Sequence, residues 1–268
     1  MPNTLTVASF NANSIRVRLE QVLRWLARVH PDVLAIQETK CADEAFPAEP
    51  IRAAGYHVVY RGSGGYAGVA LLSREEPEDV AFGLDDDDEP DGHRLVRAHV
   101  HGIDIVNTYI PQGREITSEV FHYKLRWFAR LRCLFERHYH PAQPLIWLGD
   151  LNVAPEPIDV HDPKRHANHV DYHPEVRAAF QQTVSWGFED VFRRLHPDEP
   201  EQYTYWDYRV RNPVANNAGW RIDHIMATPP LAAVATKAWI DVDERLAARP
   251  SDHTFLTAQF DMTRLRRL

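Results

Sequence analysis

Cysteine is scarce in this chain, with only Cys41 and Cys133 among 268 residues. That rules out a small scaffold stapled by disulfides and points to reduced thiols in a cytoplasmic protein. No run of eighteen apolar residues occurs, so a membrane span is not expected. The first residues, MPNTLTVASFNANS, lack a basic start and a long apolar stretch, so no signal peptide is expected. There is no Gly/Ser/Pro-rich linker and no internal repeat at a fixed period, so one domain over residues 1–268 is the economical expectation. Positive charge is also in deficit: Lys and Arg number 30 against 38 acids, a formal net charge of −8. Alone, that argues mildly against a nucleic-acid partner. The acid is uneven, however. LDDDDEPDG (84–92) concentrates it in one segment expected to be a mobile surface loop, whereas RLRCLFERHYH and RLRRL are basic. Net charge therefore says little about the face that meets a ligand.

What is present is a series of short apolar runs. LTVASFN, PDVLAIQET, YHVVYRG, GVALLSR and PLIWLGDLN read as strands, and RLVRAHVHG with IDIVNTYI reads as a hairpin turning at Gly102. Helical spacing marks 16–29, 119–139 and PEVRAAFQQTVSWG, the last with proline at its start and glycine at its end. Residues 155–173, rich in histidine, read as a surface excursion. Strand-like pieces return at YTYWDY, WRIDHIMAT, VATKAWID and TFLTAQFDM. Many strands with few long helices between them predict two packed sheets with helices outside, not a doubly wound array.

The ends of these runs share a pattern. Phe10 gives way to NAN, Ile36 to QETK, and NTYIPQG, WLGDLN, WRIDHI and RPSDHTF likewise set polar residues beside an apolar run. If the strands are neighbours, Asn11, Asn13, Glu38, Tyr109, Asp150, Asn152, Asp223, Asp252 and His253 meet at one edge. Taken singly, GDLN or SDH is a turn signal. Together they form an oxygen-rich set of the kind Mg²⁺ takes along with water and substrate phosphate. One histidine and no cysteine argue against zinc. Asp150 could deprotonate or orient water, and an Asp–His pair could put a donor on developing negative charge, as metal-assisted phosphodiester hydrolysis requires. Gly149 would leave room for neighbouring backbone or substrate.

SFNANSIR, DVLAIQETKC, GYAGVALLSR, NTYIPQG, WLGDLNVAP, YWDYR, GWRIDHIMA and PSDH, in this order, resemble the exonuclease III family of apurinic/apyrimidinic endonucleases, within the endonuclease/exonuclease/phosphatase superfamily. The resemblance runs from about residue 5 to about 260. It implies a four-layer α/β sandwich: two mixed β-sheets packed face to face, with helices on the outer faces. It implies Glu38 as the main Mg²⁺ or Mn²⁺ ligand with Asn13 close by, and Asp252 orienting the site or touching a second metal position. Asp150 would activate the water, Asn152 would hold it and Asn11 would align Asp150. Asp223 and His253 would contact the scissile phosphate, and Tyr109 the phosphate or the leaving oxygen. The implied partner is double-stranded DNA with abasic sites or 3′-blocked ends, cut 5′ of the lesion. Exonuclease and 3′-phosphatase activities would share the site. Trp206, Tyr205, Trp220 and Ile222 are candidates for the abasic pocket. Arg209 and Arg114, with Arg16, Arg18, Lys40, Lys164 and Arg165, are candidates for the DNA face. A monomer in the cytoplasm, at the nucleoid when acting, is expected. Asn13 stands where some relatives carry Asp, which removes a formal charge from the metal site. The alternative is a superfamily phosphatase or phosphodiesterase for another phosphate ester or nonspecific DNA. WDYR and GWRID weigh against that alternative.

Overall fold

Alternation along the first strand, β1 (Thr4–Asn11), sorts its side chains onto two faces. Leu5 and Val7 point to one apolar cluster, Ala8 and Phe10 to another. The computed structural model describes residues 3–86, 88 and 91–267. After β1 come α1 (Ile15–Val29), β2 (Val33–Gln37), α2 (Ala48–Ala53), β3 (His57–Arg61), β4 (Val69–Ser73) and β5 (Glu78–Phe82). The chain continues through β6 (Leu95–Val100), β7 (Ile103–Tyr109), α3 (Glu119–His138), β8 (Leu145–Asp150), α4 (Pro174–Val184), β9 (Glu189–Asp190) and α5 (Val191–Leu195). It closes with β10 (Asp223–Ala227), α6 (Pro229–Ala232), β11 (Ala235–Ile240), β12 (Leu256–Asp261) and α7 (Met262–Leu265).

Two six-stranded sheets result, ordered β11-β12-β1-β2-β4-β3 and β5-β6-β7-β8-β10-β9. Each contains one parallel pair, β1 with β2 and β7 with β8, and the remaining pairs are antiparallel. A parallel pair needs a crossover. α1 supplies one and α3 the other. α1 lays Val22, Trp25 and Leu26 on Phe10, Leu34, Ile36 and Phe255, with Trp25 and Phe255 stacked at 4.1 Å. α3 begins at the Ser118 hydroxyl, which accepts from Phe121 N at 3.2 Å, and buries Phe128, Leu131 and Phe135 on the outer face of the second sheet beside Trp147. Between the sheets lie Val7, Val33, Ala35 and Leu71 from one and Val96, Ile105, Ile146, Leu148 and Ile225 from the other. The four layers match the expected sandwich. No described helix is long and apolar enough to cross a membrane.

Two local expectations change, and one strand lies outside the sequence pattern. YTYWDY is not a strand. Tyr205 makes one bridge to Trp220 and one to His253, so it joins two segments and extends a ladder with neither. β5 escapes the apolar pattern because Glu78, Asp79 and Val80 are exposed along a sheet edge. The acidic segment is anchored where it is described. Asp86 pairs with Arg130 at 2.7 Å, and buried Asp91 accepts from Trp127 Nε1 at 3.0 Å and from the Tyr123 hydroxyl. Asp87, Glu89 and Pro90 lie outside the described residues.

Gly149 sits opposite Thr108 in the parallel β7/β8 ladder, at φ 138°. A Cβ there would lie 2.0 Å from the Thr108 carbonyl oxygen, so the residue makes room for neighbouring backbone. Behind β10, the fully buried Arg221 donates to Asp159 Oδ1 at 2.8 Å and to Asp190 Oδ2 at 2.7 Å, and Arg193 also pairs with Asp159 at 2.7 Å. Burial opposes ionisation of both carboxylates, yet Arg221 and Arg193 at Asp159, and Arg221 with His224 at Asp190, outweigh it and hold both below the usual carboxylate range. Because their folded values are depressed, the stability they contribute is present above the ordinary carboxylate pKa of about 3.9 and is lost as pH falls through the folded values. Urea unfolding at stepped pH should show stability falling below about pH 4, with the slope reduced in Asp190→Asn. In the same assay Gly149→Ala should cost at least about 2 kcal/mol, since both the φ angle and the close approach oppose a side chain.

Candidate active site

The carboxyl ends of both parallel pairs lie at one edge of the sandwich, where open α/β sheets place ligands. β1 ends in Asn11, β2 leads into Glu38, β7 ends in Tyr109 and β8 in Asp150. β10 runs antiparallel to β8, so its first residue, Asp223, pairs with Asp150. β12 runs antiparallel to β1, so the residues before it, Asp252 and His253, arrive at the same edge. Asp223 therefore begins its strand, contrary to the reading of WRIDHI as a strand end.

Asn11 joins the two sheets. Its Nδ2 donates to Glu38 Oε1 at 2.7 Å and to Asp150 Oδ2 at 2.8 Å, and its Oδ1 accepts from Asn13 N at 2.9 Å. Glu38 takes φ 49°, a left-handed conformation unusual for a long side chain, and its carbonyl accepts from Ser14 N. Asn152, at φ 48°, donates its backbone N–H to Asp150 Oδ1 at 3.0 Å and its Nδ2 to the Ile110 carbonyl at 2.9 Å. Its side chain lines the cleft. His253 Nδ1 lies 2.8 Å from Asp223 Oδ2, and its Nε2 lies 3.8 Å from Asp150 Oδ2. Ser251 Oγ donates to the Asn11 carbonyl and accepts from His253 N, which ties that loop to β1.

The charges sit out of water. Burial pushes the Asp150 carboxyl well above its usual value; Asp223 and Glu38 add to that, and His253 and Asn11 oppose it. Burial would lower His253, but Asp223 and then Asp150 outweigh it and bring the imidazole up to about 10. The proton shared by this pair belongs on the imidazole, which carboxylates flank on both ring nitrogens; Asp150 then remains an anion beside a cation. Burial first, then Glu38 and Asp150, push the Tyr109 phenol well above its usual value, so it stays a neutral donor hydrogen-bonded to Glu38.

Among the described residues, one group of three acid, thiol or imidazole donors could share an ion: Glu38, Asp150 and His253, with candidate ligand atoms within 4.8 Å of one another. Asp223 Oδ1 is buried with no described partner beside it. An oxygen-dominated set with an unpaired carboxylate oxygen fits a hard divalent cation such as Mg²⁺ or Mn²⁺. Asn13 and Asp252 are turned to each other, Asn13 Nδ2 donating to Asp252 Oδ1 at 2.9 Å.

The cleft has a volume of about 610 Å³, and Tyr205, Trp220 and Ile222 line an apolar side of it. Trp206 does not line it. The ring is 1% exposed and its Nε1 donates to Asn217, so it is core packing and not pocket wall. Arg209 lines the cleft, where its guanidinium pairs with Asp207 at 2.7 Å. Arg114 is exposed and outside the lining. Lys40 is not free for a DNA face, because its ammonium bridges Glu38 Oε2 at 2.7 Å and Asn13 Oδ1 at 2.5 Å. Arg18 is likewise engaged, with Tyr208 and the Pro250 and Asn13 carbonyls. Three histidines of the 155–173 excursion, His161, His166 and His169, pack around Trp220 with ring centroids 4.6–6.1 Å away.

Lys124 escaped the sequence reading. Fully buried, it donates to the carbonyls of Gln112, Asn152 and Val170 and to Asp171 Oδ1, and so ties the β7–α3 connection to both ends of the β8–α4 connection around the cleft. Its signal was present. Lys124 falls at helical spacing between Phe121 and Phe128, where a core position should be apolar.

The sequence pattern of the Endonuclease/Exonuclease/phosphatase family matches residues 8–253. The chain is 34% identical to exodeoxyribonuclease III of Haemophilus influenzae, over 94% of this chain and 98% of that protein. It superposes on an AP endonuclease from Archaeoglobus fulgidus with a TM-score of 0.94 and 48% identity, over 96% and 99% of the two chains. A Neisseria 3′ phosphatase, solved with a product DNA hairpin, gives 0.90 and 36% over 96% and 99%. With that coverage, the chain belongs to the endonuclease/exonuclease/phosphatase family.

Proposed function

We propose that this protein is a divalent-metal-dependent DNA-repair nuclease that hydrolyses the phosphodiester 5′ of abasic sites in duplex DNA. The same site would trim 3′ ends as exonuclease and 3′-phosphatase. One observation carries the reading: the Asn11 amide holds Glu38 and Asp150 together beside the Asp223–His253 pair, at the mouth of a cleft with an aromatic side. The names of the relatives support the substrate class: exodeoxyribonuclease III, AP endonuclease and 3′ phosphatase.

Glu38, with Asp150 in reach, would hold Mg²⁺ or Mn²⁺, and Asn13 and Asp252, hydrogen-bonded to each other, are the further candidates beside it. When bound, the ion supplies positive charge to phosphate oxygens. The chain supplies the rest. Asp150, fixed by N–H groups from Asn11 and Asn152, takes a proton from the attacking water while Asn152 steadies that water. His253, held as imidazolium by Asp223, donates to a phosphate oxygen as negative charge builds. Tyr109, kept protonated, donates to the leaving oxygen or the phosphate. A bond forms from water oxygen to phosphorus and the bond from phosphorus to the 3′ oxygen breaks; that oxygen takes a proton from solvent and leaves as a 3′-hydroxyl, and Asp150 returns its proton to solvent. The sugar lacking a base leaves the stack cheaply and enters beside Tyr205, Trp220 and Ile222. The protein acts as a monomer at the nucleoid in this reading.

The test is incubation of purified protein with matched intact, abasic and 3′-phosphate duplexes in Mg²⁺, Mn²⁺ or chelator. Incision should occur at the abasic site, leave a 3′-hydroxyl and stop in chelator. Glu38→Ala and Asp150→Asn should each lower turnover about 100-fold or more while the unfolding transition stays intact. Wild-type rates in either variant would refute the roles of Glu38 and Asp150. Phosphate release from an inositol phosphate, with no action on abasic DNA, would establish the alternative substrate.

A further inference from the structure

Two residues behind the site, a second amide link crosses between the sheets. Asn107 is fully buried on the inner face of β7. Its Nδ2 reaches the facing sheet and donates to two carbonyls there, Ile36 at 3.1 Å and Ala70 at 2.9 Å. Ile36 and Ala70 are cross-strand partners of β2 and β4, so one amide holds both strands. Its Oδ1 accepts from Gln37 Nε2 at 2.7 Å, and Gln37 in turn lies 3.2 Å from Ser9 Oγ on β1. Ser9 and Gln37 are buried as well, and all three polar side chains stand in a seam otherwise filled by Val7, Ala35, Ile105 and Leu148.

An amide with its donors and acceptor all engaged fixes distance and angle, whereas apolar contacts between sheets tolerate sliding. The position of this one matters. Gln37 is the residue before Glu38, and Asn107 lies two residues before Tyr109 on the same face of β7. Glu38 belongs to one sheet and Tyr109 and Asp150 to the other, so any slip between sheets changes the spacing of the metal donors. We propose that Asn107, acting through Gln37, is a positioning residue that sets the distance between the metal-ligand edge of one sheet and the water-activating edge of the other. It touches neither substrate nor metal. The proposal rests on the nuclease reading above.

The test compares wild type, Asn107→Leu, the double variant Asn107→Leu with Gln37→Leu, and Gln37→Met. Asn107→Leu keeps the volume but strands the Gln37 amide, so it should lower the melting temperature. The double variant leaves no stranded amide and should recover that temperature. Neither should recover function. Turnover on abasic duplex should fall tenfold or more with KM within about twofold of wild type. Mn²⁺ affinity, measured by calorimetry without DNA, should fall fivefold or more. Gln37→Met keeps both carbonyl bonds of Asn107 and should fold even if the Leu variants do not. It should show the same split at about threefold. If Mn²⁺ affinity and turnover return with stability in the double variant, or stay at wild-type values in Gln37→Met, the amides are only structural and the proposal fails. If wild type itself leaves abasic DNA intact, it is the nuclease reading that fails, and the Mn²⁺ affinities still decide the positioning role.

Discussion

Two carboxylates from different sheets share one amide, and the site depends on it. Glu38 and Asp150 would repel if brought together bare in a buried edge. Asn11 Nδ2 donates to both, and the His253 imidazolium, itself held by Asp223, neutralises the deeper of the two. The arrangement leaves two anionic groups facing one another with less positive charge than they can accommodate. The Lys40 ammonium, bridging Glu38 and Asn13, meets part of that deficit, and a divalent ion would meet the rest. Electrostatics of this kind requires fixed positions, which explains why strained backbone gathers here. Asn13, Glu38, Lys40 and Asn152 all adopt left-handed φ values between 43° and 49°.

The fold supplies those positions by using one device twice. Each sheet is built around a parallel pair closed by a helix, and each pair delivers two strand ends to the same edge. Antiparallel neighbours then bring Asp223 and His253 in from the opposite direction. The result is a site whose residues are spread from Asn11 to His253 yet stand on the ends of core strands. The loops around the cleft are braced separately, by Lys124 under Asn152 and Asp171 and by Arg221 next to β10. The relatives of this chain include an exodeoxyribonuclease III, an AP endonuclease and a 3′ phosphatase.

Much of this was legible in the sequence because the site residues abut apolar runs. The runs at Phe10, Ile36 and Leu148 announce buried strands, and the polar residues after them must lie at an edge. The resemblance of the motifs supplied the roles and the substrate class. What was hidden depends on three-dimensional direction. Trp206 and Trp220 look alike in sequence, but the bridges of Tyr205 to Trp220 and His253 turn one ring into the core and the other into the cleft. Lys40 and Arg18 look like DNA contacts until their partners are known. The acidic segment looks mobile, yet Arg130 on the distant α3 anchors Asp86 and Asp91. Pairings across such separations leave no periodic trace in the chain.

One buried amide makes the carboxylate pair usable. Single-turnover cleavage of an abasic duplex by Asn11→Leu, at saturating Mg²⁺ and on protein with an intact unfolding transition, tests that claim most directly. The expected rate is at least about 100-fold below wild type, because Glu38 and Asp150 lose their common donor. A rate within about twofold of wild type would contradict it.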